Sequence, residues 1–292
     1  MRVPFLDLTR IHEPLSKSFQ RVLLKAIKNS RFVGGEEVEC FEREFAEFCG
    51  IKYSVGVSSG TDALRLALLA GGLKPGDTVI TCVNTFFATV EAIVQAGCDF
   101  VLVDIDPKSG MIDLDDLDRK ITVKTRAIIP VHLFGHAAPM TEIMSMARSR
   151  NVMVIEDACQ AHGTLYRNQM AGTFGDFGCF SFYPGKNLGA LGEGGAVVTK
   201  NKKYAQTLKR LRDHGQDRKY YHSQMGFNAR LDSIQAGFLR IKLKKLKQWN
   251  ESRRKIASAY NRQLSHVEEV KTVSPSHGVD SVWHLYVVMA KH

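Results

Sequence analysis

Seven short apolar, β-branched runs punctuate the first 200 residues: Tyr53 to Val57, Thr78 to Val83, Phe100 to Val103, Ala127 to Val131, Val152 to Ile155, Gly178 to Phe182 and Ala196 to Thr199. Each reads as a buried strand. The earlier runs alternate with amphipathic stretches whose apolar residues recur at helical spacing, namely Asp62 to Ala70, Thr89 to Ala96 and Thr141 to Arg150. This alternation predicts an α/β fold: a mainly parallel seven-stranded sheet sandwiched by helices.

The two ends of the chain carry a different pattern. Helical spacing at Leu15 to Lys28 and Glu36 to Phe48 predicts two helices packed outside the sheet or at a subunit contact, the second closed by Gly50 as C-cap. After Thr199 the spacing turns helical again, with a long helix expected from Asp232 to about Leu264 and a strand from Val282 to Val288. The expected organisation is a large unit over 1–231 and a smaller α+β unit over 232–292. With no internal repeat or low-complexity linker, the two should be closely joined.

Composition narrows the function classes. At 292 residues and 44% hydrophobic, the chain can bury a large core. No apolar run is long enough for a bilayer, and the opening Met1 to Asp7 lacks the apolar centre of a signal peptide. The cytoplasm is the expected location, with no membrane partner. Six dispersed cysteines form no C-x-x-C pair, and Cys159 with His162 lacks the second pair that a metal site requires, so no metal is expected. The net charge of +10 concentrates in Arg240, Lys242, Lys244, Lys245, Lys247, Arg253, Arg254 and Lys255. It reads as a solvated helix face, because no nucleic-acid-binding pattern accompanies it.

Three segments carry chemistry. Ser58-Ser59-Gly60-Thr61-Asp62 follows the first strand and opens a helix, where small residues, free N–H groups and the Thr61 hydroxyl suit a phosphate; Thr61 or Asp62 as an ordinary helix cap is the competing reading. Asp157 lies where an apolar strand ends, at the sheet edge where α/β folds bind ligands, and suits the partner of a pyridine nitrogen or a loop cap. Lys186 lies among aromatic and glycine residues in Phe180 to Gly189, surroundings that disfavour its ammonium form as an imine-forming lysine requires. Gly192-Glu193-Gly194-Gly195 leads into a strand, not a helix, so it is not a dinucleotide loop.

In order and wording the three segments resemble the DegT/DnrJ/EryC1/StrS sugar aminotransferases, pyridoxal-phosphate enzymes of the aspartate aminotransferase fold (fold type I). The resemblance runs from Pro4-Phe5-Leu6-Asp7-Leu8 through Gly226 to Asp232 and on to Trp283-His284-Leu285. It implies Lys186 as the Schiff-base lysine, Asp157 as the pyridinium partner, Gln160 on the ring hydroxyl and Phe86 stacked on the ring. Gly60, Thr61 and Ser181 match phosphate ligands, and Asn228 matches one reaching in from the neighbouring subunit of a homodimer with shared sites. Tyr183, Arg218, Lys219 and Tyr220 match the substrate side.

The activity implied is amination of a nucleotide-linked keto-deoxysugar, a 3-keto-6-deoxyhexose being nearest in wording, with glutamate as donor. Nucleic acid is not an expected partner. The rival reading is a regulatory member that binds the cofactor without turnover. Family members continue beyond the position matching His292, so the resemblance implies an incomplete small domain. An unpaired strand edge, uncovered apolar surface around Trp283, Leu285 and Val287, and weak amination are then expected.

Overall fold

The computed structural model describes residues 3–290; Met1, Arg2, Lys291 and His292 lie outside the described residues. All seven expected strands join one sheet: β1 Tyr53–Val57, β2 Thr78–Cys82, β3 Asp99–Val103, β4 Thr125–Ile129, β5 Met153–Asp157, β6 Phe177–Ser181 and β7 Gly195–Thr199. Their order is β1-β7-β6-β5-β4-β2-β3. Only β7 opposes its neighbours, pairing antiparallel with both β1 and β6. The carboxyl ends of the other six therefore share one edge of the sheet, and β7 begins there.

Both faces of the sheet are covered, as near-continuous apolar strands require. Side-chain alternation divides the core: Phe177, Cys179 and Val197 pack on one face with Leu64 and Leu66, and Phe180, Phe182 and Val198 on the other with Phe41 and Phe45. Each buried phenylalanine contributes about 1.5–3 kcal/mol relative to exposure. Helices α1 Ser16–Asn29, α2 Glu36–Cys49, α3 Gly60–Ala70, α4 Phe87–Gln95, α5 Leu114–Lys120, α6 Met140–Ser149, α7 Lys202–Leu211 and α8 Ser233–Leu264 complete the main elements. Gly50 caps α2 in the left-handed region at φ 66°.

Three expectations need correction, and one helix carries no signal in the sequence. The cap of α3 is neither Thr61 nor Asp62 but Ser59, whose Oγ accepts the Asp62 N–H at 3.0 Å; the helix starts earlier because Gly60 is already helical. Helix α5, capped by Asp113, is too short to show a period in the sequence. Residues 282–288 are not a strand. Trp283 takes φ 47°, and the Val282 and Leu285 N–H groups bond to the Gly135 and Phe134 carbonyls, which clamps this segment against the loop after β4. Extended pairing starts only at Val288–Ala290, opposite Val270–Thr272.

The basic face of α8 is only partly solvated. Lys244, Lys245, Lys247 and Lys255 are exposed, but Lys242 is 2% exposed and lies in the buried stripe of Leu239, Leu246 and Asn250. Its Nζ lies 3.1 Å from His12 Nε2, and burial lowers its pKa to about 8. Arg240 is held by Glu37 and Glu44 on α2 at 2.5 and 2.7 Å. Arg240 and Lys242 thus fasten this helix to the N-terminal elements.

Candidate active site

The shared strand edge opens into a cleft of about 1010 Å³. Gly60, Thr61, Phe86, Asp157, Gln160, Ser181, Tyr183 and Lys186 all line it, although they are spread over more than a hundred residues of sequence. The parallel topology brings them together, since each follows or ends a strand at that edge.

At one end stands the amino terminus of α3. The first N–H groups of a helix have no partner within it, and the helix dipole favours an anion there. A Cβ added to Gly60 would lie 2.7 Å from Ser181 Cβ and 3.0 Å from Cys159 Sγ, so only glycine lets α3 approach the ends of β5 and β6 so closely. Gly60, Thr61 and Ser181 consequently border one small polar recess suited to a phosphate.

Asp157 ends β5 and is 6% exposed. Its Oδ2 accepts the Thr89 hydroxyl at 2.8 Å and its Oδ1 accepts the Cys159 N–H at 3.1 Å. Main-chain bonds of 2.9 Å to Pro130 and His132 hold the residue from both sides. Next to it, fully buried Glu156 accepts His132 Nε2 at 2.8 Å and the N–H groups of Gly172, Phe174 and Gly175 at 2.7–2.8 Å. His132 Nδ1 accepts the Ala138 N–H, so its proton sits on Nε2. Glu156 thus ties the loop before β6 to β5 and stiffens the strand end that presents Asp157.

Lys186 sits in the loop after β6, with its N–H bonded to the Tyr183 carbonyl at 2.9 Å. The adjacent Asn187 is buried; its Nδ2 donates to Asn250 and to the Val282 carbonyl, and its Oδ1 accepts from His284 Nδ1 at 3.1 Å. These bonds fix the lysine loop to α8 and to the 281–284 segment. Among the described residues no carboxylate is within 4.0 Å of the Lys186 ammonium. Burial, then the charges of Lys186, Arg253 and His162, lowers the His284 pKa to about 2. Burial and Lys186 lower that of His162 to about 3, so both imidazoles are neutral beside the lysine.

Between these ends, Phe86 is 71% exposed and offers an uncovered ring to the cleft. Gln160 Oε1 accepts the Phe134 N–H at 2.7 Å, which leaves its NH2 end for a ligand. A phosphate recess, an open aromatic face, a fixed carboxylate and an unpaired lysine fit pyridoxal phosphate, and the Gly60 contact shows how closely that recess is shaped.

Four expected site residues lie outside this cleft. Asn228 Oδ1 accepts from Arg230 at 2.7 Å. Arg218, Lys219 and Tyr220 belong to an exposed hairpin, where Arg218 stacks 3.9 Å from the Tyr221 ring. Conversely, Thr89, Glu193, Arg253, His284 and Tyr286 line the cleft without having been singled out. Thr89 had no sequence signal beyond its position in an amphipathic helix. Arg253 was one basic residue in a run of eight.

Residues 14–292 match the DegT/DnrJ/EryC1/StrS aminotransferase family. The chain is 41% identical to the pleiotropic regulatory protein of Geobacillus stearothermophilus, covering 99% of this chain and 78% of that protein. It is also 41% identical to the dTDP-3-amino-3,4,6-trideoxy-alpha-D-glucose transaminase of Streptomyces venezuelae, covering 98% and 76%. The crystal structure of S. venezuelae DesV in complex with a ketimine intermediate superposes with a TM-score of 0.97 at 40% identity, covering 99% of this chain and 78% of that one. Among the described residues, no helix is long and apolar enough to cross a membrane.

Proposed function

The chain belongs to the DegT/DnrJ/EryC1/StrS aminotransferase family, and from this we propose that it transfers an amino group from glutamate to a nucleotide-linked keto-deoxysugar, a 3-keto-6-deoxyhexose in the first instance. The observation that carries the reading is Lys186, with no described carboxylate within 4.0 Å of it, opening into the same cleft as Asp157 and the amino terminus of α3. The sugar named for the S. venezuelae transaminase supports the substrate class.

Pyridoxal phosphate, the family's cofactor, supplies an electron sink for the charge left when the donor's Cα loses its proton. The residues around it have separable tasks. The amides of Gly60 and Thr61, with the Thr61 and Ser181 hydroxyls, bind its phosphate. Phe86 covers a ring face and Gln160 binds the ring hydroxyl. The Asp157 carboxylate holds the proton on the ring nitrogen, its direction set by Thr89 and Cys159. Lys186 would hold the cofactor through its Nζ, and the same amine, when free, would accept the proton from the donor's Cα and carry it to the other side of the transfer. Neutral His284 and His162 add no competing charge there.

Two parts of the reading concern assembly. Asn228 stands outside its own cleft, which supports its serving the cleft of a second copy in a homodimer. Residues 1–231 form the cofactor-binding unit and 232–292 the smaller one. The regulatory reading has the Geobacillus relative in its favour. Glutamate-dependent amination of a panel of nucleotide-linked keto sugars, followed by mass spectrometry, separates the two. A product heavier by one amine exchange supports catalysis; cofactor absorbance that glutamate does not change, with no product, supports regulation.

A further inference from the structure

Arg253 is the one guanidinium among the described residues lining the cleft, and Lys186 is the only other side chain there with a positive charge. It projects from α8. Its Nη1 donates to the Trp283 and His284 carbonyls at 3.2 and 3.3 Å, while Nε and Nη2 have no partner among the described residues. Its helix neighbours are differently placed: Arg254 pairs with Asp280 at 2.6 Å and Arg240 with Glu37 and Glu44, whereas no described carboxylate is within 4.0 Å of Arg253. Burial lowers its pKa, as expected of a cation withdrawn from water without a counter-ion.

The surroundings make that charge effective. Ile256, Ala257 and Tyr260 from α8, with Trp283 stacked on Tyr286 at 5.4 Å, form an apolar wall beside it. A half-buried charge left unpaired is costly unless a ligand completes it. His284 joins the guanidinium to the reacting end: its carbonyl accepts from Arg253 and its ring donates to Asn187, the residue after Lys186.

We propose that Arg253 is the oxyanion-recognition residue of this cleft, its free edge taking a pair of oxygens from the donor's carboxylate or from the diphosphate of the nucleotide-linked substrate. A planar fork of N–H donors matches both groups. The choice of substrates rests on the function proposed above; the anion subsite itself does not. Both substrates of a two-step transfer pass through one cleft in turn, so one fixed cation can serve each.

The test is calorimetric titration of the cofactor-loaded protein with glutarate, a dicarboxylate without the amine, and separately with dTDP. Wild type, Arg253→Gln and Arg253→Lys are compared, with melting temperatures measured alongside. Arg253→Gln should weaken at least one probe about tenfold or more at little change in melting temperature, and Arg253→Lys, which keeps charge but loses the fork, by a smaller factor. Loss confined to glutarate assigns the carboxylate, and loss confined to dTDP the diphosphate. If Arg253→Gln does not fold, a threefold or greater loss in Arg253→Lys carries the same meaning. Unchanged binding of both probes in a folded variant, or no binding of either by wild type, overturns the proposal. Anion binding that depends on Arg253 in a protein that aminates no sugar would instead remove the substrate assignment and leave the subsite standing.

Discussion

Thr89 donates its hydroxyl to Asp157 Oδ2 at 2.8 Å across 68 residues of sequence, with both side chains buried and Thr85 Oγ1 2.7 Å behind Thr89. A hydrogen bond to a buried carboxylate is worth about 1.5–3 kcal/mol, so this one fixes which way Asp157 faces. Thr89→Val should lower turnover about tenfold and shift the pH dependence of the bound cofactor's absorbance, because Asp157 loses orientation but not charge. Thr89→Ser should restore both. A valine variant with normal absorbance and rate would reduce Thr89 to a packing role.

Gly60→Ala tests the shape of the phosphate recess. The added methyl meets Ser181 Cβ at 2.7 Å and must push α3 or β6 aside at the place assigned to the phosphate. Cofactor affinity, read by dialysis and visible absorbance, should fall at least about tenfold while the sheet remains folded, an overpacking cost of about 1–3 kcal/mol. Full occupancy in the alanine variant would show that the phosphate lies elsewhere.

Three histidines withdrawn from solvent, two of them fully buried, make stability depend on pH. Burial lowers His136 to about 4, and burial with neighbouring charge lowers His162 to about 3 and His284 to about 2. In the unfolded chain each takes a proton near pH 6.5, so below that pH the unfolded state binds more protons and stability falls. The stabilisation is complete above about pH 6.5 and declines toward pH 4 by about 1.4 kcal/mol per pH unit for each histidine. His162→Leu should flatten the slope of stability against pH by about one histidine's share. An unaltered slope would mean that His162 is protonated in the fold.

Much of this was legible in the sequence, for identifiable reasons. The strands of the main sheet are short, buried on both faces and bounded by turns, so their apolar runs alone located all seven. Lys186 and Asp157 stood out because each follows such a run. Thr89 did not, since a threonine on a helix acquires meaning only when β5 is placed beside it. Arg253 and Lys242 were indistinguishable from solvated charge until α8 was packed against the cleft and the N-terminal helices. The 282–288 segment read as a strand because Val282, Leu285 and Val287 are apolar, but the left-handed Trp283 and the clamp on Phe134 and Gly135 are tertiary facts.

The central claim is that Lys186 is the covalent and proton-transferring residue of an aminotransferase. The most direct measurement is amination of nucleotide-linked keto sugars by wild type and Lys186→Ala, scored by mass spectrometry with the absorbance and melting temperature of each protein. The account predicts glutamate-dependent product from wild type. It predicts none detectable from the alanine variant, which should keep its melting temperature but lose the absorbance of the covalently held cofactor. Undiminished amination by Lys186→Ala would contradict it.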